Sequence, residues 1–272
     1  MKISKRKVFD VAFFFVMFLA IQVVVGIVVM LVCRPLGLKD EAILNIVSSL
    51  ASSLLTIALF AWRRWTPFNR AFSRSRQWGV MWWTVLLAMG SMAPSEFIVE
   101  VSGLQVPQVY TQMMAQMMNH DLGFIAICVV VPVAEEVVFR GAVLRKLLQI
   151  FGYGRHWWAI VVSAALFGAA HLNMAQFVHA FLIGLLLGWL YFRTHSVVPG
   201  VAFHLINNAV TFITIRLMPG TAGMTLIEFF GGNYGRLAIF IVCSLCVFVP
   251  SLLQLNMRLK RVDNDHDVVK EE

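Results

Sequence analysis

Glu135 and Glu136 stand side by side in the apolar run VPVAEEVVFRG, with Arg140 four residues after the second of them. Further along, His171 ends LFGAAH, and His204 and Asn208 sit four apart in FHLINN. Ionisable side chains are costly inside a membrane helix and face protein or water when they occur there. These types together suit hydrolysis. A carboxylate shielded from water is a stronger base, a histidine can share its proton, and an imidazole beside an amide can cradle an oxyanion. No serine or cysteine pairs clearly with these histidines, so activated water is favoured over a covalent route.

Helical geometry sorts the groups. Glu136 and Arg140 are i,i+4 and can pair on one face. Glu135 is turned about 100° from Glu136, which leaves it as the free carboxylate aimed into a cavity. His204 and Asn208 share a face by the same spacing. At about 1.5 Å per residue, Glu135, His204, Asn208 and His171 fall roughly 13–22 Å from the basic ends of their runs, close enough in depth for one site. His179 has no evident partner and reads as a packing residue.

The elements that must position them are membrane spans. The chain has 272 residues, 60% apolar and 13% charged, with a mean hydropathy of +0.79, against about 25% charged in a soluble domain. This excludes a disordered chain, a disulfide scaffold and an ordinary soluble globule. Apolar runs at 8–33, 41–62, 78–95, 122–144, 156–172, 175–192, 196–217 and 235–257 predict about eight transmembrane helices in an all-α polytopic bundle. Only Leu172, Asn173 and Met174 divide the fifth from the sixth. The organisation reads as 1–121, three spans and an outer segment; 122–217, the catalytic core; and 218–272, a last span and a tail.

A net charge of +8 would suggest nucleic acid in a soluble protein, but here the positives punctuate apolar runs, as in cytoplasmic loops. The N-terminal MKISKRK, the loop 63–77, the segment 145–155 and the tail after Arg258 are placed inside. The segment 96–121, with Glu96, Glu100 and Asp121, is placed outside. Both termini are then cytoplasmic. The first run is too long for a signal peptide and lacks a small-x-small cleavage site, so it reads as an uncleaved span. Met113, Met114, Met117 and Met118 read as an apolar helix face resting on the outer interface. Cys243 and Cys246 form a CxxC inside an apolar run without a second ligand pair, and read as a decoy. Gly184 and Gly188 form a GxxxG that permits close helix packing.

In order, EEVVFR at 135–140, FGAAH at 167–171 and HLINN at 204–208 read as EExxxR, FxxxH and HxxxN. On successive apolar helices they resemble the CPBP family of intramembrane proteases, which includes the CAAX prenyl endopeptidases and the Abi-type bacteriocin-processing or immunity-related proteins. The resemblance covers about 120–215, and none of the three motifs departs from the pattern. It implies an eight-helix, CAAX-protease-like bundle open towards cytosol and lipid. It also implies that Glu135 and His171 activate a water, that His204 and Asn208 stabilise the oxyanion, and that Glu136 and Arg140 support and orient.

Zinc stays open at this point. Glu135, His171 and His204 would be its ligands, as two histidines and a glutamate form a known catalytic set. There is no HExxH, however, and Asn208 is a poor ligand, so the reading without a cofactor is favoured. The expected partners are a hydrophobic peptide or lipidated (prenylated) peptide and the lipid bilayer, with no nucleic acid. The expected location is a bacterial inner (plasma) membrane. The rival readings are a non-catalytic immunity or membrane binding protein of the same fold, and a proton-coupled transporter, for which the sequence shows no clear inverted repeat.

Overall fold

The computed structural model describes residues 5–67, 72 and 77–259. Lys2, Arg70, Arg74, Arg76, Lys260 and Arg261, used above for orientation, and the tail DNDHDVVKEE lie outside the described residues. The architecture is all-helical: α1 (Lys5–Cys33), α2 (Glu41–Trp62), α3 (Trp78–Val101), α4 (Gln108–Met118), α5 (Asp121–Phe151), α6 (His156–Ala169), α7 (Met174–Thr194), α8 (Val198–Leu217), α9 (Leu226–Phe229) and α10 (Tyr234–Arg258). Seven of these, α1, α2, α3, α5, α7, α8 and α10, are long and apolar enough to cross a membrane. The chain is an integral membrane protein.

The eighth expected span is α6. Its run forms a helix of 14 residues, about 21 Å long at 1.5 Å per residue, short of the roughly 30 Å hydrocarbon core. The helix stops because the chain turns: Leu172 takes a left-handed φ of 57°, and Asn173 caps α7 by accepting the Gln176 N–H at 2.9 Å. α6 and α7 therefore make an antiparallel hairpin. A Cβ on Gly184 would stand 3.1 Å from Ala164 Cα, so the missing side chain is what lets the two helices approach, as the GxxxG spacing suggested.

α3 continues to Val101, so Glu96 and Glu100 lie in its last turns. Glu100 accepts the Leu226 and Ile227 N–H groups at 2.8 and 3.2 Å, which satisfies the exposed N-terminus of α9. The methionine face of α4 is turned into the protein. Met117 and Met118 are buried and pack inward against Ile46, Ala126, Cys128 and Phe212.

α5 lies at the centre, against α1, α2, α6 and α8, while α10 runs along α3. α1 and α10 expose Val16, Val23, Leu31, Ile239, Val242 and Leu253. In water such faces would be a liability, but in lipid they are the ordinary outer surface. Around α5 the packing is aromatic: Phe139 meets Phe18 and Phe167 at centroid distances of 5.3 and 5.2 Å.

Candidate active site

α5 is not a regular helix where the carboxylates sit. Ile125–Val130 is a wide, π-type stretch in which the Val131 N–H donates five residues back to Ala126. The next bond of that pattern, from position 132 to the Ile127 carbonyl, cannot form because Pro132 has no N–H. A buried carbonyl needs a donor, and Asn208 supplies it from α8, Nδ2 to Ile127 O at 2.9 Å. The amide thus clamps α8 to α5 and sets their register. One turn earlier on α8, His204 is brought level with Glu135 and Glu136.

A second wide stretch, Val137–Leu144, follows the carboxylates. Its carbonyls are also satisfied from outside: Thr66 Oγ1 donates to Val137 O at 2.7 Å and Ser163 Oγ to Phe139 O at 3.0 Å. Thr66 can enter because Gly141 has no Cβ; one there would stand 2.1 Å from Thr66 Cγ2. Wide turns of this kind recur at functional sites, and here two of them bracket Glu135 and Glu136.

Glu136 and Arg140 form the expected pair, Oε1 to Nη1 at 2.7 Å, with side chains 0% and 1% exposed. The guanidinium also reaches Gly184 O at 3.4 Å and lies 4.4 Å over the Phe167 ring. Glu135 is 13% exposed. Glu136 is sealed and held by a cation, whereas part of the Glu135 side chain stays accessible.

The two carboxylates diverge, as adjacent helical residues must, yet both reach His204. Its Nε2 is 3.5 Å from Glu135 Oε2 and its Nδ1 is 3.5 Å from Glu136 Oε1. An imidazole carries its nitrogens on opposite edges, so one ring can face two divergent acids and hold a proton between them.

His171 joins the cluster differently. Its Nδ1 lies 3.0 Å from the Phe167 carbonyl, which can only accept, so Nδ1 carries the hydrogen and Nε2 is left basic. Its ring contacts Phe167 at 5.2 Å, and His204 contacts the same ring at 5.7 Å. Phe167 therefore touches Arg140 and both histidines, a role that the sequence reading had not given it; its place four residues before His171 was the available signal.

The structure brings Glu135, Glu136, Arg140 and His204 into direct proximity, seats Asn208 one turn away on Ile127, and links His171 through Phe167. The zinc set does not fit. Among the described residues no group of three or more His, Cys, Asp or Glu is placed to hold a metal ion, and both His204 nitrogens face carboxylates. His179, expected to be without a partner, pairs through Nδ1 with Glu96 at 3.1 Å. Cys243 and Cys246 are free and exposed on α10.

Tyr110 on α4 was also passed over. Burial, with the Glu135 charge adding to it, pushes the pKa of its phenol above the ordinary value.

Residues 120–210 match the family model of the type II CAAX prenyl endopeptidase, Rce1-like. Comparison with curated proteins and with solved structures gives no match. The matched stretch runs from the start of α5 into α8 and contains the three motifs, with the buried Glu136–Arg140 pair and His204 set between two carboxylates. The match covers about a third of the chain, and in this stretch the protein is similar to the Rce1-like type II CAAX prenyl endopeptidases.

Proposed function

We propose that this protein is an intramembrane endopeptidase that hydrolyses a peptide bond in a membrane-associated substrate, with prenylated peptides ending in a CAAX sequence as the substrate class. The observation that carries the reading is His204 between Glu135 and Glu136, with Glu135 alone of the two partly accessible. Glu135 takes a proton from a water as that water adds to the peptide carbonyl. His171, basic at Nε2, shares the proton and returns it to the departing amine. His204 and Asn208 steady the charge that develops on the carbonyl oxygen. Glu136 and Arg140 are positioning residues, since a sealed ion pair holds His204 Nδ1 from behind. The set sits in helices, which favours a lipid-borne chain as substrate over a soluble one.

The basic residues Lys5, Arg6, Lys7, Arg63, Arg64, Arg145, Lys146, Arg155 and Arg258 lie at one set of helix ends, which supports a cytoplasmic placement of those ends and of both termini.

The test is purified protein in vesicles, offered a prenylated peptide and its unprenylated counterpart, with products identified by mass. The expected result is release of the C-terminal residues beyond the prenylated cysteine, from the prenylated peptide preferentially. No release from either peptide rejects the reading.

A further inference from the structure

Thr66 lies outside residues 120–210, which match the family model, yet it bonds to α5 where the helix changes its winding. Its side chain is buried, 2% exposed, and its Oγ1 donates at 2.7 Å to Val137 O, the carbonyl of the residue after Glu136. Val137 opens the wide stretch Val137–Leu144. Thr66 fits there because Gly141 has no Cβ to exclude it.

The segment that carries Thr66 is itself fixed. Arg145 Nη2 donates to Trp65 O at 3.1 Å, so the segment is tied to α5 at both ends of the wide stretch. The Trp65 ring packs against Phe13, Phe14 and Phe60 at centroid distances of 5.4, 5.2 and 5.0 Å. The consequence is rotational. A π-type turn holds more residues than an α-helical turn, and each residue of an α-helix turns the chain about 100°. A wide turn that tightens therefore swings the residues just before it, which are Glu135 and Glu136. Each of these stands 3.5 Å from a His204 nitrogen, and that leaves little room for a swing.

Resting on the peptidase reading, we propose that Thr66 is a positioning residue: its hydroxyl, bonded to the Val137 carbonyl, keeps the turn after Glu136 wide and so holds Glu135 at the angle from which it takes a proton from water. Thr66 touches neither the substrate nor the reacting atoms and acts through Glu135. Without the hydroxyl, a buried carbonyl loses its outside donor, and the turn tightens to serve that carbonyl from within α5.

The experiment compares Thr66→Ser, Thr66→Ala and Thr66→Val with wild type in vesicles, on the same prenylated peptide, at a temperature where unfolding curves show each protein folded. Serine keeps the hydroxyl, alanine removes it at nearly the size of serine, and valine replaces it with a methyl at the size of threonine. kcat is expected to fall about 10-fold in Thr66→Ala and Thr66→Val, part of the roughly 100-fold that a 1 Å misplacement can cost, with KM within about threefold. Thr66→Ser should recover most of the loss. In single turnovers, Thr66→Ala added to Glu135→Gln should bring no further loss, because the base that the turn aims is already gone. Where valine destabilises the fold, alanine against serine decides. A kcat loss below about threefold in Thr66→Ala, an equal loss in Thr66→Ser, or a full further loss on top of Glu135→Gln overturns the assignment while leaving the peptidase reading intact. Absence of cleavage by the wild-type protein rejects the peptidase reading and this role with it.

Discussion

Gly200 and Glu136 share one space: a Cβ on Gly200 would stand 2.5 Å from Glu136 Oε2. The carboxylate cannot swing aside, because Arg140 holds its other oxygen at 2.7 Å. Gly→Ala inside an exposed helix gains roughly 0.5–1 kcal/mol. Here the sign should reverse. Gly200→Ala is expected to cost about 1–3 kcal/mol, as overpacking does, and to reduce cleavage. Thermal unfolding in detergent and the peptide assay check both.

The sealed pair should be strongly non-additive. Arg140→Met alone leaves a buried carboxylate without its cation and should cost about 3–5 kcal/mol. Glu136→Gln combined with Arg140→Met should recover much of that. A double-mutant cycle in melting temperature measures the coupling; additive costs would mean that the pair is not a unit.

Asn208 should show a dependence on Pro132 although the two side chains are on different helices. Asn208→Ala strips the donor from Ile127 O and should cost about 1–3 kcal/mol. Pro132→Ala restores an N–H that can serve that carbonyl within α5. In that background Asn208→Ala should cost less, and unfolding of the four proteins of the cycle reads the difference.

A pH effect is expected outside the membrane spans. His195 joins α7 to α8 at a left-handed φ of 48°, and burial pushes its pKa below the ordinary value. The unfolded chain would bind a proton near pH 6.5 that the folded chain refuses, so this residue removes stability as pH falls below about 6.5. His195→Asn, which tolerates the left-handed backbone, should flatten the melting-temperature slope between about pH 5 and 6.5 relative to wild type.

Much of the site was legible because i,i+4 spacing is a local rule. The Glu136–Arg140 pair followed from it directly, as did the shared face of His204 and Asn208. The convergence of Glu135 and Glu136 on one imidazole was not legible, since helical rotation alone sends the two carboxylates apart and the opposite edges of His204 reunite them. The wide turns of α5 were hidden for a similar reason. They depend on Pro132 lacking an N–H and on donors from Thr66, Ser163 and Asn208, which are distant in the chain. Hydropathy marked α6 as a span but could not register that Leu172 and Asn173 end it early. His179 looked solitary because its partner Glu96 stands at the end of α3, far away in the chain.

The central claim is that Glu135 is the base. Glu135→Gln keeps the shape and the hydrogen-bonding capacity of the side chain and removes its basicity. Single-turnover cleavage of a prenylated peptide in vesicles should slow by about 10³-fold or more, the scope of general base catalysis, with peptide binding and melting temperature unchanged. A rate within about threefold of wild type, in protein that still binds the peptide, would contradict the account.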